Sequence, residues 1–181
     1  MTLATSVAPH VFWITSRAAG TAALFLSSAG VCVGLLMGGK LVRGKGADLR
    51  PIHEALSLAT IAALLVHGLT LLGDSYLKAS LVDIAVPFAG SYKTFWTSLG
   101  IVSGWALILL GPSYYLRRLI GQRRWSKLHR FTALAWLAGI AHALGQGTDA
   151  GSAWFVLMLA ATMLPAGVLL ILRNFQASVA K

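Results

Sequence analysis

Four histidines fall in two pairs on two apolar segments of this 181-residue chain: His53 with His67, and His129 with His142. The intervals are 14 and 13 residues, so on helices rising about 1.5 Å per residue each pair spans roughly 20 Å, most of a bilayer core. A histidine inside a membrane segment is costly to insert and marks a functional position. Two such segments side by side present imidazoles at two depths. That is the donor set and spacing for two stacked haems, each iron six-coordinate between two imidazoles. Cys32, the single cysteine, lies in an apolar run, and no Cys-x-x-Cys-His sequence offers covalent attachment. A haem bound here is therefore expected to be non-covalent, of b type.

The elements that must hold these residues are membrane helices. With 57% hydrophobic and 11% charged residues and a mean hydropathy of +0.75, the chain is too apolar for a soluble domain of its size. Runs of about 18 or more residues without Asp, Glu, Lys or Arg predict an all-α bundle of five transmembrane helices over 18–39, 55–73, 94–116, 131–148 and 150–172. The fourth is the shortest. The first is read as a retained helix rather than a signal peptide, because the residues before it form no basic n-region and the apolar run exceeds an h-region. The whole chain reads as one domain.

Charge orients the bundle. Lys40, Arg43, Lys45 and Arg50 lie between the first two spans; Arg117, Arg118, Arg123, Arg124, Lys127 and Arg130 lie between the third and fourth; Arg173 and Lys181 follow the fifth. Twelve of the fifteen Lys and Arg residues thus share one side, which the positive-inside rule makes cytoplasmic, with the N-terminus outside and the C-terminus inside. Anionic lipid accounts for the net charge of +10, and no nucleic-acid partner is needed to explain it. Spans two and four then run parallel. His53 and His129 are expected to hold an inner haem iron, and His67 and His142 an outer one.

Helical phase supports this pairing only in part. At about 100° per residue, 14 residues return to within roughly 40° of one face, whereas 13 miss by about 140° on an ideal helix. Span four must therefore bend, and Gly139 is the expected site of a kink or π-bulge. His10, in a polar N-terminal stretch, reads as a surface residue.

Arg50-Pro-Ile-His53-Glu54 with His67-Gly68, followed by Trp125-Ser-Lys-Leu-His129-Arg and His142, resembles the ferric reductase-like transmembrane domain. That family includes the membrane parts of ferric reductases and NADPH oxidases and the haem-binding subunit of a methionine-sulfoxide reductase system. The resemblance covers roughly residues 13–173. It implies two b haems on the four histidines, in a membrane oxidoreductase component that moves electrons across the cytoplasmic membrane to an external acceptor, ferric iron or oxygen. Only nine residues follow Leu172 and no Gly-x-Gly-x-x-Gly follows a predicted strand, so no flavin or nicotinamide domain is expected in this chain. The donor is then a cytoplasmic flavoprotein reductase, a bound flavin or membrane quinone.

Other residues fit a haem bundle without requiring one. Arg50, Lys127 and Arg130 lie within a turn of the inner histidines and are candidates for anionic propionates; Arg17, Tyr92 and Lys93 are weaker candidates on the outer side. Gly30, Gly34 and Gly38, Gly100 and Gly104, and Gly68 permit close approach of a helix or a porphyrin. Trp136 falls midway between the two histidines of span four, suited to a place between haems or to a lipid contact. Residues 77–88 of the long outer connection predict a short interfacial helix ended before Pro87, either capping the outer haem or serving as a connector. Asp149 is suited to a cationic acceptor, and Pro112 and Pro165 predict local kinks. Two further readings stay open: a membrane subunit feeding a separate periplasmic reductase, and a haem-free transporter or proton channel with the histidines as relays.

Overall fold

Helix accounts for most of the chain in the computed structural model, which describes residues 4–38 and 48–179, with side chains over 10–38 and 48–172. The major helices are α1 (Ala4–Gly38), α2 (Arg50–Thr70), α4 (Thr94–Leu110), α7 (Phe131–Gln146) and α8 (Ala153–Val179). Shorter ones are α3 (Leu81–Ala85), α5 (Arg117–Ile120) and α6 (Gln122–His129). No strand forms among the described residues.

Four helices are long and apolar enough to cross a membrane among the described residues: His10–Gly38, Arg50–Gly73, Thr94–Tyr114 and Ala153–Leu172. They correspond to the first, second, third and fifth expected spans. The fourth is α7, whose 16 residues give a length of about 24 Å, short of a hydrocarbon core of about 30 Å. The first helix starts well before residue 18. Arg17, which ended the uncharged run, forms an ion pair with Asp149 of the α7–α8 connection, so its charge is matched and the helix runs through it. Lys40, Arg43, Lys45 and Lys181, and the side chain of Arg173, lie outside the described residues.

Packing is organised around α1. It pairs along its length with α2 and packs on α8 and α7, while α4 pairs with α7. Leu24, Trp136, Ile140, Phe155, Leu159 and Ala166 form the buried core where α1, α7 and α8 meet. Trp136, 7% exposed, belongs to this core and not to a lipid-facing surface. Its Nε1–H donates to Ser28 Oγ at 2.9 Å, and Ser28, fully buried, donates to Leu24 O. Ser103 Oγ of α4 donates to Ala135 O of α7. A side chain on Gly139 would meet Ser103 Oγ at 3.0 Å, so Gly139 lets α4 and α7 close together and makes no kink.

The helix α2 is unlike the others. Thr60 is its only buried residue, and it packs along α1 while barely touching α4. At its N-terminal end the Tyr115 hydroxyl donates to the Glu54 carboxylate, and that hydrogen bond holds the phenol above its ordinary pKa. Large apolar side chains on α2, α4, α7 and α8, among them Leu58, Leu65, Leu109, Leu134, Leu157 and Leu164, are exposed. A bilayer is the solvent in which such a surface is stable.

The connection between α2 and α4 folds into α3, shorter than the expected helix and ended before Pro87 by Val86 in extended conformation. Ser80 and Asp83 form a capping box at its start. Trp105 Nε1–H donates to Ala85 O, and Phe88 N–H donates to Ser98 Oγ. Ser98 and Trp105 lie about half a turn around α4 from Trp96, Gly100 and Ser103, which face α7. Thus α3 sits on the far side of α4 and does not cover His142. Pro112 opens a 3-10 turn, Pro112–Tyr114, that ends α4 instead of kinking it, and Gly121, at φ 89, supplies the left-handed turn between α5 and α6.

Ser28→Ala should strand the Trp136 N–H in an apolar core and cost about 1–3 kcal/mol. Thermal unfolding in detergent should show a lower midpoint; an unchanged midpoint would mean that the indole finds another acceptor.

Candidate functional site

The four histidines meet in two pairs across the gap between α2 and the α6–α7 segment. The His53 and His129 ring centres are 6.1 Å apart and those of His67 and His142 6.3 Å, with interplanar angles of 82° and 74°. These are the expected partners, and the matched order shows that α2 and α7 run parallel.

Three of the rings are fixed in the same way. His53 Nδ1 lies 3.0 Å from Gly30 O, His67 Nδ1 2.8 Å from Ser16 O, and His142 Nδ1 2.8 Å from Trp96 O. A carbonyl only accepts, so each Nδ1 carries the proton and Nε2 is left with a free lone pair. Each of these rings also lies close against a glycine. A Cβ on Gly34 would meet His53 Cε1 at 3.2 Å, one on Gly20 would meet His67 Nδ1 at 2.9 Å, and one on Gly100 would meet His142 Nδ1 at 2.5 Å. Ser16 Oγ adds a donor bond to His67 O at 2.9 Å.

The anchors on α1 repeat the spacing on α2. Ser16 and Gly20 serve His67, and Gly30 and Gly34 serve His53, so both helices carry the same 14-residue interval and one antiparallel register satisfies both histidines. The importance of Gly34 and Gly100 was legible as small residues at helical spacing. Ser16, Gly20 and the Trp96 carbonyl were not singled out, although the 14-residue echo in the first helix was a signal that could have found the first two. Gly68 and Gly104 face open space, with nothing within 4 Å of an added Cβ.

His129 differs. Its Nδ1 is buried without a hydrogen bond, although the Leu110 carbonyl lies near it. Its ring stacks instead on Trp125, with centres 5.1 Å apart and planes at 24°. The bend demanded by the 13-residue interval is found here and not at Gly139: α6 ends at His129, Arg130 is a turn residue, and α7 starts at Phe131. The Ala133 N–H bonds back to Arg130 O, three residues away. Arg130 keeps right-handed helical dihedrals across this one-residue interruption, and both imidazoles reach α2.

The cationic candidates are distributed less tightly. Arg50, Lys127 and Arg130 are exposed at the end of the bundle that holds His53 and His129, and Arg50 lies 3.7 Å from Asp48. At the other end Arg17 is engaged by Asp149 and lies over the Trp13 ring, and Lys93 Nζ donates to Gly145 O at the end of α7. Asp149 is consequently a matched charge and not a free carboxylate for a cation. Tyr92 and His10 are exposed.

Two imidazoles bound to one iron through bonds of about 2.0 Å place their ring centres about 6 Å apart, once the half-width of each ring is added. Both pairs meet that separation, and in three of the four imidazoles Nδ1–H is held by a backbone carbonyl, the arrangement metal-ligating histidines use. The residues therefore fit two bis-histidine haems. Compared with known proteins, the chain matches no family model, no curated protein and no solved structure.

Gly100→Ala places a methyl against His142 Nδ1 and should break its bond to Trp96 O, costing about 1–3 kcal/mol, whereas Gly104→Ala meets nothing and should stay within about 0.5 kcal/mol of the parent. Paired thermal melts check this; equal effects would show that the glycine does not seat the ring.

Proposed function

We propose that this chain is a dihaem b-type membrane cytochrome carrying electrons across the cytoplasmic membrane, in the ferric reductase-like class. The observation that carries the proposal is the pair of inter-ring distances, 6.1 and 6.3 Å, at two depths on parallel helices. In this reading α7 completes a five-helix bundle with its N-terminus outside and C-terminus cytoplasmic. His53 and His129 ligate the inner iron and His67 and His142 the outer one.

Bound haem would supply a one-electron redox centre at each depth. The work of the protein is to hold and orient. Gly30, Ser16 and Trp96 present carbonyls that fix three Nδ1–H groups and leave Nε2 to the metal. Gly34, Gly20 and Gly100 let the rings lie against helix backbones. Two imidazoles would hold each haem, which would then supply outer-sphere electron transfer and no place for a substrate at the metal. Lys127, Arg130 and Arg50 remain the candidates to meet inner propionates, at the side facing a flavoprotein reductase or quinone donor. The outer edge faces the acceptor, ferric iron or oxygen.

A relay reading fits less well. Three of the histidines have Nδ1 locked to backbone carbonyls, whereas a proton relay requires imidazoles that exchange both nitrogens with mobile partners.

Oxidised and dithionite-reduced absorption spectra with haem quantified per chain should give two b-type haems, and His67→Ala or His142→Ala should leave one. Colourless protein that takes up no haem would remove the proposal, and loss of both haems from either single variant would reject the pairing.

A further inference from the structure

Three of the four histidines share one support, a backbone carbonyl at Nδ1 and a glycine beneath the ring. His129 differs: no hydrogen bond closes at its buried Nδ1, although the Leu110 carbonyl lies near it, and among the described glycines none has His129 against its face. It is also the last residue of α6, next to the interruption at Arg130. Something else must set the plane of the imidazole.

Trp125 is placed to do so. It stands four residues before His129 on α6, one turn away on the same face, and its ring lies over the imidazole at 5.1 Å. The indole is itself held. Its Nε1–H donates to Ser113 Oγ at 3.2 Å, and Ser113 donates to Leu110 O at 2.6 Å. Tyr114 meets the indole edge-on at 5.7 Å. The Arg117 guanidinium covers Tyr114 at 3.8 Å and donates to its carbonyl. A layered stack thus runs from Arg117 through Tyr114 and Trp125 to His129.

We infer that Trp125 is the positioning residue of the inner site, setting the ring plane of His129 by stacking where the other three ligands use a carbonyl. The inference rests on the dihaem reading. It has two consequences for this chain's own residues. The ring plane of His129 depends on the indole more than on its Nδ1, near which lies only the Leu110 carbonyl and at which no hydrogen bond closes. Its orientation is tied to the loop bearing Ser113, Tyr114 and Arg117, so changes in that loop reach the inner site and leave the outer one alone.

The test uses the full-length protein purified in detergent, with the outer site as internal control. Trp125→Phe keeps an aromatic face and should retain two haems per chain with the low-spin ferric resonances of both sites near their parent positions. Trp125→Leu removes the face; inner-haem retention should fall by about tenfold or more, the range for loss of a support behind a ligand, or the inner resonance should shift, while the outer resonance stays fixed. Parent-like resonances and two haems in Trp125→Leu would overturn the inference. So would loss of both haems from Trp125→Leu and Trp125→Phe alike, since support for His129 alone does not reach the outer pair. Parent protein without haem would instead defeat the dihaem reading.

Discussion

An imidazole in hydrocarbon has an N–H that must be satisfied before its other nitrogen can be offered to anything. Much of this molecule follows from that requirement. The nearest acceptors in a helical bundle are backbone carbonyls of a neighbouring helix, and a ring reaches one only where no side chain intervenes. Glycine beneath the ring and a carbonyl at its edge are therefore two parts of one solution, found at Gly34 with Gly30 and at Gly20 with Ser16. The α1–α2 register is the single offset that satisfies both, and Gly100 with Trp96 repeats the device between α4 and α7.

Much of this was legible in the residues. Intervals of 14 and 13, with basic residues at one end, placed His53 opposite His129 and His67 opposite His142, and the rings meet in those pairs. All five expected spans were read from uncharged runs, and four of them correspond to helices long and apolar enough to cross a membrane. The fourth was hard to read because α7 is short and is packed on α4 and α1. The bend in span four was visible as a phase conflict, but its position was not: glycine suggested 139, where the actual demand on the residue is contact with Ser103. The break falls at Arg130, where no glycine or proline marks it.

Charged residues near the end of the bundle that holds His67 and His142 misled for a related reason. Arg17 and Asp149 each suggested a ligand or acceptor when taken alone, 132 positions apart in the chain, and only the fold shows that they answer one another. The same holds for α3. Its sequence specifies a capped interfacial turn, but the face of α4 that receives it is decided by Ser98 and Trp105, which carry no such signal in themselves.

The spare packing of α2 has a thermodynamic consequence. Its tilt and rotation are set almost entirely by α1, yet it carries one member of each histidine pair on a single stiff rod. Any ligand that draws His53 toward His129 fixes the same rotation that His67 needs to face His142. But α1 already sets that rotation, because the Gly30 and Ser16 carbonyls hold both imidazoles of α2. Two positions about 20 Å apart along the rod are in this way aligned in advance by one register, and either can be lost without disturbing the other.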